Sequence, residues 1–130
     1  MFGSDGDGPD IFERTAEFVI EAGVDVAHFG ILTPYPGTDL YERLVQEDRM
    51  IYNDFPEDYA RYDLCTAVFR PSQMTPEQLE EGLVWTAQAV GSRRAAARRA
   101  CSTLKASKHP FLTALIYRWN RSGLYDRVVH

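Results

Sequence analysis

Apolar positions along the first half of the chain alternate between two periods. Ile11, Phe12, Thr15, Phe18, Val19 and Ala22 follow helical spacing and predict one core-facing stripe. Pro9 suits the first turn of that helix, Asp10 and Glu13 sit well near its positive end, and Gly23 is placed to end it. Residues 24–32 (VDVAHFGIL) are mostly apolar, β-branched or aromatic, which predicts a strand covered on both faces, as in a parallel sheet. Pro34 and Pro36 cannot donate to a ladder, so pairing must stop there. Pro36-Gly37 has the residues that a type II turn prefers at its centre. Thr38 is placed to cap a second helix, running to about Glu47, with Leu40, Tyr41, Leu44 and Val45 on one face. Phe2-Gly3, followed by the acidic, glycine-rich residues 4–8, reads as the end of an earlier strand. The order is strand end, helix, strand, helix: a repeated β/α unit.

The pattern then changes. Residues 48–65 hold aromatics among Asn, Asp and Pro without a sustained period, which predicts an irregular connection. Residues 66–70 predict a short strand stopped by Pro71. Thr75-Pro76-Glu77-Gln78 is a capping box, and the helix after it places Leu79, Leu83, Thr86, Ala87 and Val90 on one side until Gly91-Ser92 interrupts it. Two further helices are predicted: one from Arg93 to about Lys105, and one with Phe111, Leu112, Leu115, Ile116 and Trp119 that ends near Gly123.

Composition narrows the class. With 130 residues, 45% hydrophobic and 25% charged, the chain has room for one soluble globular domain or part of a larger one. Its apolar runs are too short to cross a bilayer, and its acidic start does not resemble a signal peptide. Two cysteines, Cys65 and Cys101, predict neither a disulfide framework nor a metal cage, which makes the cytoplasm the default location. Charge divides the chain. Residues 1–92 carry five Lys/Arg against eighteen Asp/Glu, a balance of −13, whereas residues 93–130 carry nine against one, a balance of +8. The basic part is expected to pack on the acidic body or to form a solvated face, the sharper alternative being an anionic surface, lipid before nucleic acid. Calcium is rejected on spacing: counted from Asp5, the twelfth loop position is Ala16, where an EF-hand needs a bidentate glutamate.

A parallel strand such as residues 24–32 needs neighbours on both edges. One full strand, the Phe2-Gly3 end and residues 66–70 supply too little sheet to stand alone. The expectation is therefore an α/β chain, a partial (β/α) barrel slice followed by a mostly α-helical extension. The boundaries read as 1–48 for the barrel slice, 49–92 for the connection and first extension helix, and 93–130 for the basic helical tail.

Three sets of residues carry a resemblance. They are Phe2-Gly3-Ser4-Asp5-Gly6-Asp7 with Ile11-Phe12-Glu13-Arg14-Thr15, the run from Leu32 through Pro34, Pro36-Gly37-Thr38 to Leu44, and Tyr62-Asp63, Val68–Pro71 and Met74–Gly82. Together, in this order and spacing, they resemble the last part of a radical S-adenosylmethionine (SAM) barrel of the cobalamin-binding branch, with its methyltransferases and oxidative cyclases, and the start of the helical extension after it. The likeness covers residues 2 to about 92. It implies SAM, a 4Fe–4S cluster and cobalamin in a complete parent protein. In the isolated chain no cofactor is expected, because the three-cysteine cluster loop is absent: Cys65 and Cys101 stand 36 positions apart with no third cysteine. Ser4 also stands where relatives are expected to carry an aromatic residue.

By position in such a barrel, Gly3 and Asp5 at one strand end and Leu32, Thr33 and Pro34 at the other would face the SAM and substrate cavity. Plainer roles compete: Gly3 for tight chain geometry, Asp5 as a cap for the helix at Pro9, and Thr33 as a partner for turn backbone. No catalytic residue and no metal ligand is assigned. His28 reads as a core histidine, Tyr35, Tyr41, Tyr59 and Tyr62 as packing aromatics, and both cysteines as buried small apolar residues. The implied function is a C-terminal portion of a radical SAM enzyme, contributing barrel wall and cavity loops, with the N-terminal barrel half as its partner. The alternative is a non-catalytic module whose basic amphipathic tail binds a membrane surface or partner protein, with Phe111, Leu112, Leu115, Ile116 and Trp119 opposite Lys108, Arg118 and Arg121.

Overall fold

The structure, a computed structural model, describes residues 1–24 and 26–92. Its helices are α1 (Ile11–Glu21), α2 (Asp39–Gln46) and α3 (Pro76–Gly91), with a 3₁₀ turn at Glu57–Arg61. The two helices expected beyond residue 92, and Cys101, lie outside the described residues. The chain divides into two compact units, one taking Met1–Ile11 and Phe29–Leu83, the other taking Phe12–His28 and the chain from Val84.

In the first unit the strand end meets the exit of the predicted strand. Phe2 and Ile31 form a parallel bridge: the Phe2 amide donates to the Gly30 carbonyl at 2.9 Å, and the Leu32 amide donates to the Phe2 carbonyl at 2.8 Å. The pair lies in the core, Phe2 1% and Ile31 0% exposed. Pairing stops there. Among the described residues between 24 and 30 no strand forms, and Val26 is 53% exposed, which corrects the expectation of a strand covered on both faces. The cause is local: only Phe2 pairs alongside, and a parallel ladder needs more partner than one residue. The Ile31 amide turns the other way and donates to the Leu64 carbonyl at 2.7 Å. His28 is exposed as well, so it is no core histidine.

The chain then turns as its sequence predicts. The Thr38 amide donates to the Tyr35 carbonyl at 3.2 Å across a turn with Gly37 at φ +83°, a conformation that glycine adopts without steric cost. Thr38 stands extended, and its Oγ1 accepts from the Tyr41 amide, capping α2. Leu44 is the buried residue of α2; Val45 is 45% exposed, so the helix presents a narrower apolar stripe than expected. Asp48, at φ +54°, ends α2 where glycine is usual, the Asp48 amide donating to the Val45 carbonyl and the Arg49 amide to the Leu44 carbonyl.

The strand expected at residues 66–70 is reduced to an antiparallel bridge between Met50 and Phe69, flanked by bonds from the Ile51 amide to the Val68 carbonyl (2.9 Å) and the Arg70 amide to the Arg49 carbonyl (2.8 Å). Leu44, Tyr62, Val68 and Phe69 form the core of this unit, packed against Leu32, Leu40, Met50, Tyr52 and Phe55. The capping box of α3 closes reciprocally: the Thr75 amide donates to Gln78 Oε1 at 2.9 Å and the Gln78 amide to Thr75 Oγ1 at 3.2 Å. Leu79, Leu83, Thr86, Ala87 and Val90 of α3 are all buried, as their spacing predicts.

In the second unit α1 buries Phe12, Ala16 and Val19, whereas Phe18 is 67% exposed. The expected stripe was therefore turned too far toward Phe18, because Ala16, a small residue, marks the packed side. The helix ends at Gly23, φ +67°, with the Val24 amide bonded to the Val19 carbonyl and the Gly23 amide to the Ile20 carbonyl.

Candidate functional site

The sequence points to two chain segments, Gly3 with Asp5 and residues 32–34, and the Phe2 bridge brings them side by side in the first unit. Gly3 is buried at φ +103°, and a Cβ there would stand 3.1 Å from Leu79 Cδ2 and 3.3 Å from Phe69 Cζ. Only glycine combines that backbone with that proximity, so Gly3 lets α3 and Phe69 close against the strand end. The loop after it is tied by Asp7, whose Oδ2 accepts from the Gly3 and Ser4 amides at 3.0 and 2.9 Å.

Asp5 does not cap the helix at Pro9. Its Oδ2 lies 2.8 Å from Arg43 Nη2 of α2, and its Oδ1 lies 2.9 Å from Arg49 Nη2. Ser72 Oγ donates to Oδ1 at 2.7 Å, and Gln73 Nε2 donates to the Asp5 carbonyl at 2.8 Å. One carboxylate thus gathers α2, the start of the Met50 bridge and the approach to α3. The Ser72 hydroxyl, and after it the Arg49 guanidinium, hold the Asp5 carboxyl below its ordinary value. Arg49 Nη2 is fully buried without a hydrogen bond of good geometry, and its compensation is ionic, from Asp5 on one side with Glu47 Oε2 against the neighbouring Nη1 at 2.9 Å. These partners, 38 to 68 positions away for Arg43, Ser72 and Gln73, carry no sequence signal that links them to Asp5.

The second segment turns its side chains inward. Thr33, 8% exposed, donates from Oγ1 to the Ile31 carbonyl at 3.1 Å, the turn-backbone role. Pro34 is fully buried and Leu32 packs against the core, so what this segment offers a ligand is backbone. Beside it the aromatics form a connected cluster: Tyr62 touches the rings of Tyr35, Phe55 and Tyr59 at 5.9, 5.3 and 6.2 Å, and Phe55 touches Tyr41 at 6.3 Å. Tyr62 and Phe55 each touch three rings of it, Phe55 meeting Tyr59 at 4.7 Å, and the Tyr62 hydroxyl donates to the Tyr52 carbonyl at 2.7 Å. Burial, then the neighbouring Tyr41, Asp58 and Tyr59, pushes its pKa up to about 12. Arg61 caps the cluster over the Tyr52 ring at 4.3 Å.

Cys65 is half-buried, and burial followed by the Asp63 charge pushes its thiol up, away from nucleophilic use. Among the described residues no group of three His, Cys, Asp or Glu is placed to hold a metal ion. The two cysteines of the whole sequence do not fit the three thiolates of a SAM-type cluster. No helix among the described residues is long and apolar enough to cross a membrane.

No family model matches the chain, and no solved structure matches it. Among curated proteins it is similar to the bacteriochlorophyllide d C-12(1)-methyltransferase of Chlorobaculum tepidum, with 30% identity over 84 residues. That match covers 65% of this chain and 17% of the methyltransferase, so the chain spans about a sixth of the length of the curated relative it matches.

Proposed function

We propose that this chain is a barrel-closing portion of a cobalamin-dependent-type radical SAM enzyme, supplying wall and cavity loops to chemistry whose cluster is held by other residues. The observation that carries the reading is the parallel Phe2–Ile31 bridge across a helical crossover, which ends in the Pro36-Gly37 turn. A loop leaving the carboxyl end of a parallel strand is where α/β folds place ligands. The similarity to a bacteriochlorophyllide methyltransferase makes methyl transfer the favoured reaction of the parent and a tetrapyrrole the favoured substrate.

Within that reading each residue has a bounded part. Leu32, Thr33 and Pro34 offer backbone to SAM or substrate and hold its shape by inward packing. Gly3 keeps the adjacent strand end close. Asp5 acts as a positioning residue, locking α2 to the strand end, and not as a ligand. No step of the reaction runs through an iron–sulfur cluster held by this chain, because its residues do not fit one.

Grafting tests this. Residues 2–92 would replace the matching segment of the bacteriochlorophyllide methyltransferase, followed by assays of SAM binding and methyl transfer. Retained SAM binding, with methyl transfer within about tenfold of the parent, is expected, a change of about 1.4 kcal/mol in the barrier. A graft that folds and carries its cluster yet fails to bind SAM would falsify the assignment.

A further inference from the structure

One helix face in the second unit has no described partner. Opposite Phe12, Ala16 and Val19, α1 carries Glu13, Glu17 and Glu21 at four-residue spacing, all exposed, with Phe18 67% exposed at their edge. Like charges at this spacing repel along the helix. Of the cations in residues 1–92, Arg43 and Arg49 are taken by Asp5 and Glu47, Arg61 by Asp58 and the Tyr52 ring, and Arg70 by the Asp48 carbonyl. Arg14, on α1 itself, has a partner of its own.

The molecule's remaining cations stand in one stretch, residues 93–130, with nine Lys/Arg against one acid. That stretch follows α3 directly, and α3 from Val84 belongs to the same unit as α1. It also intersperses Phe111, Leu115 and Trp119 among its basic positions, which suits a surface both acidic and apolar.

We propose that residues 93–130 dock along this outward face of α1 in their own chain, basic side chains against Glu13, Glu17 and Glu21 and an apolar side chain against Phe18. Tethering makes weak contacts sufficient, since a short link holds the two surfaces at an effective concentration in the millimolar range. The −13 balance of residues 1–92 also opposes approach to an anionic surface, so the acidic face of α1, in the same unit as the end of α3, is the favoured partner. A basic segment is in this way neutralised by its own polypeptide.

The test uses the full chain with Cys65→Ser and a nitroxide on Cys101, reading paramagnetic broadening of backbone amides. The expected result is broadening of the α1 amides at least about threefold above that of α2 at about 0.01 M salt. The excess vanishes near about 1 M salt, as the Debye length falls from about 30 Å to about 3 Å. Glu17→Arg with Glu21→Arg removes the excess, and adding Arg94→Glu with Arg98→Glu restores it. Should the α1 variant unfold, the salt titration of the Cys65→Ser chain decides alone. Equal broadening of α1 and α2, or an excess indifferent to salt, overturns the docking. Broadening that scales with protein concentration assigns the contact to a second copy and overturns it too. Retention by phosphatidylglycerol vesicles but not phosphatidylcholine vesicles, with the α1 excess lost, gives the segment to a lipid surface instead.

Discussion

At the scale of single residues, Gly3, Asp5 and Tyr62 hold the first unit together through three different kinds of physics. Gly3 acts through backbone freedom. Gly3→Ala places a side chain at φ +103° against Leu79 and Phe69, and the expected loss is about 1–3 kcal/mol in urea unfolding. Asp5 acts through charge. Its carboxyl is half-exposed, so Asp5→Asn is expected to cost only about 1 kcal/mol at neutral pH. Because its folded pKa lies below the ordinary 3.8, its contribution is complete above that value and is lost as pH falls through it. Acid titration of stability should therefore be shallower in Asp5→Asn than in the parent. Tyr62 has the opposite sign. With a folded pKa of about 12 against 10.0 unfolded, the native state keeps its proton longer, and stability declines as pH rises above about 10. Tyr62→Phe gives up the hydrogen bond to Tyr52, roughly 1 kcal/mol, and should remove most of that alkaline decline in a denaturation series.

At the scale of elements, the helices and turns are legible where a short segment settles its own hydrogen bonds. Thr38 caps α2, Gly37 takes the turn, Gly23 ends α1, and Thr75 with Gln78 opens α3, each within a few positions of its partner. Thr75→Ala is expected to lower stability by about 1 kcal/mol, read as a shift in the urea midpoint with unchanged slope. Strands are less legible because their bonds come from distant residues. Residues 24–32 look like a covered strand, but their composition cannot state that, among the described residues, Phe2 alone forms a bridge with them. Helix faces are legible only to about one position. Phe18 and Val45 fit the apolar period yet sit outside the packed arc, and Ala16, unremarked by hydropathy, lies within it. The candidate site follows the same division: the turn-backbone bond of Thr33 is one of the two roles its position offers, while the ion pairs of Asp5 depend on long-range folding.

At the scale of the whole molecule, apolar surface and charge are both unevenly distributed. Val26 is 53% exposed in a stretch composed like the interior of a sheet. Val26→Asp should leave the stability of the isolated chain within about 0.5 kcal/mol, as is usual for exposed positions. The same change in the grafted methyltransferase should abolish its folding or SAM binding, because there the position would turn inward. A graft indifferent to Val26→Asp would count against the barrel reading. The Leu64 carbonyl bears on the same question. By accepting the Ile31 amide it plugs that flank of the bridge, and Asp63 fastens the plug through the Cys65 and Thr66 amides. At Ile31 the Leu64 carbonyl thus stands where a neighbouring strand would, so this amide is already satisfied and is not offered to edge-to-edge aggregation.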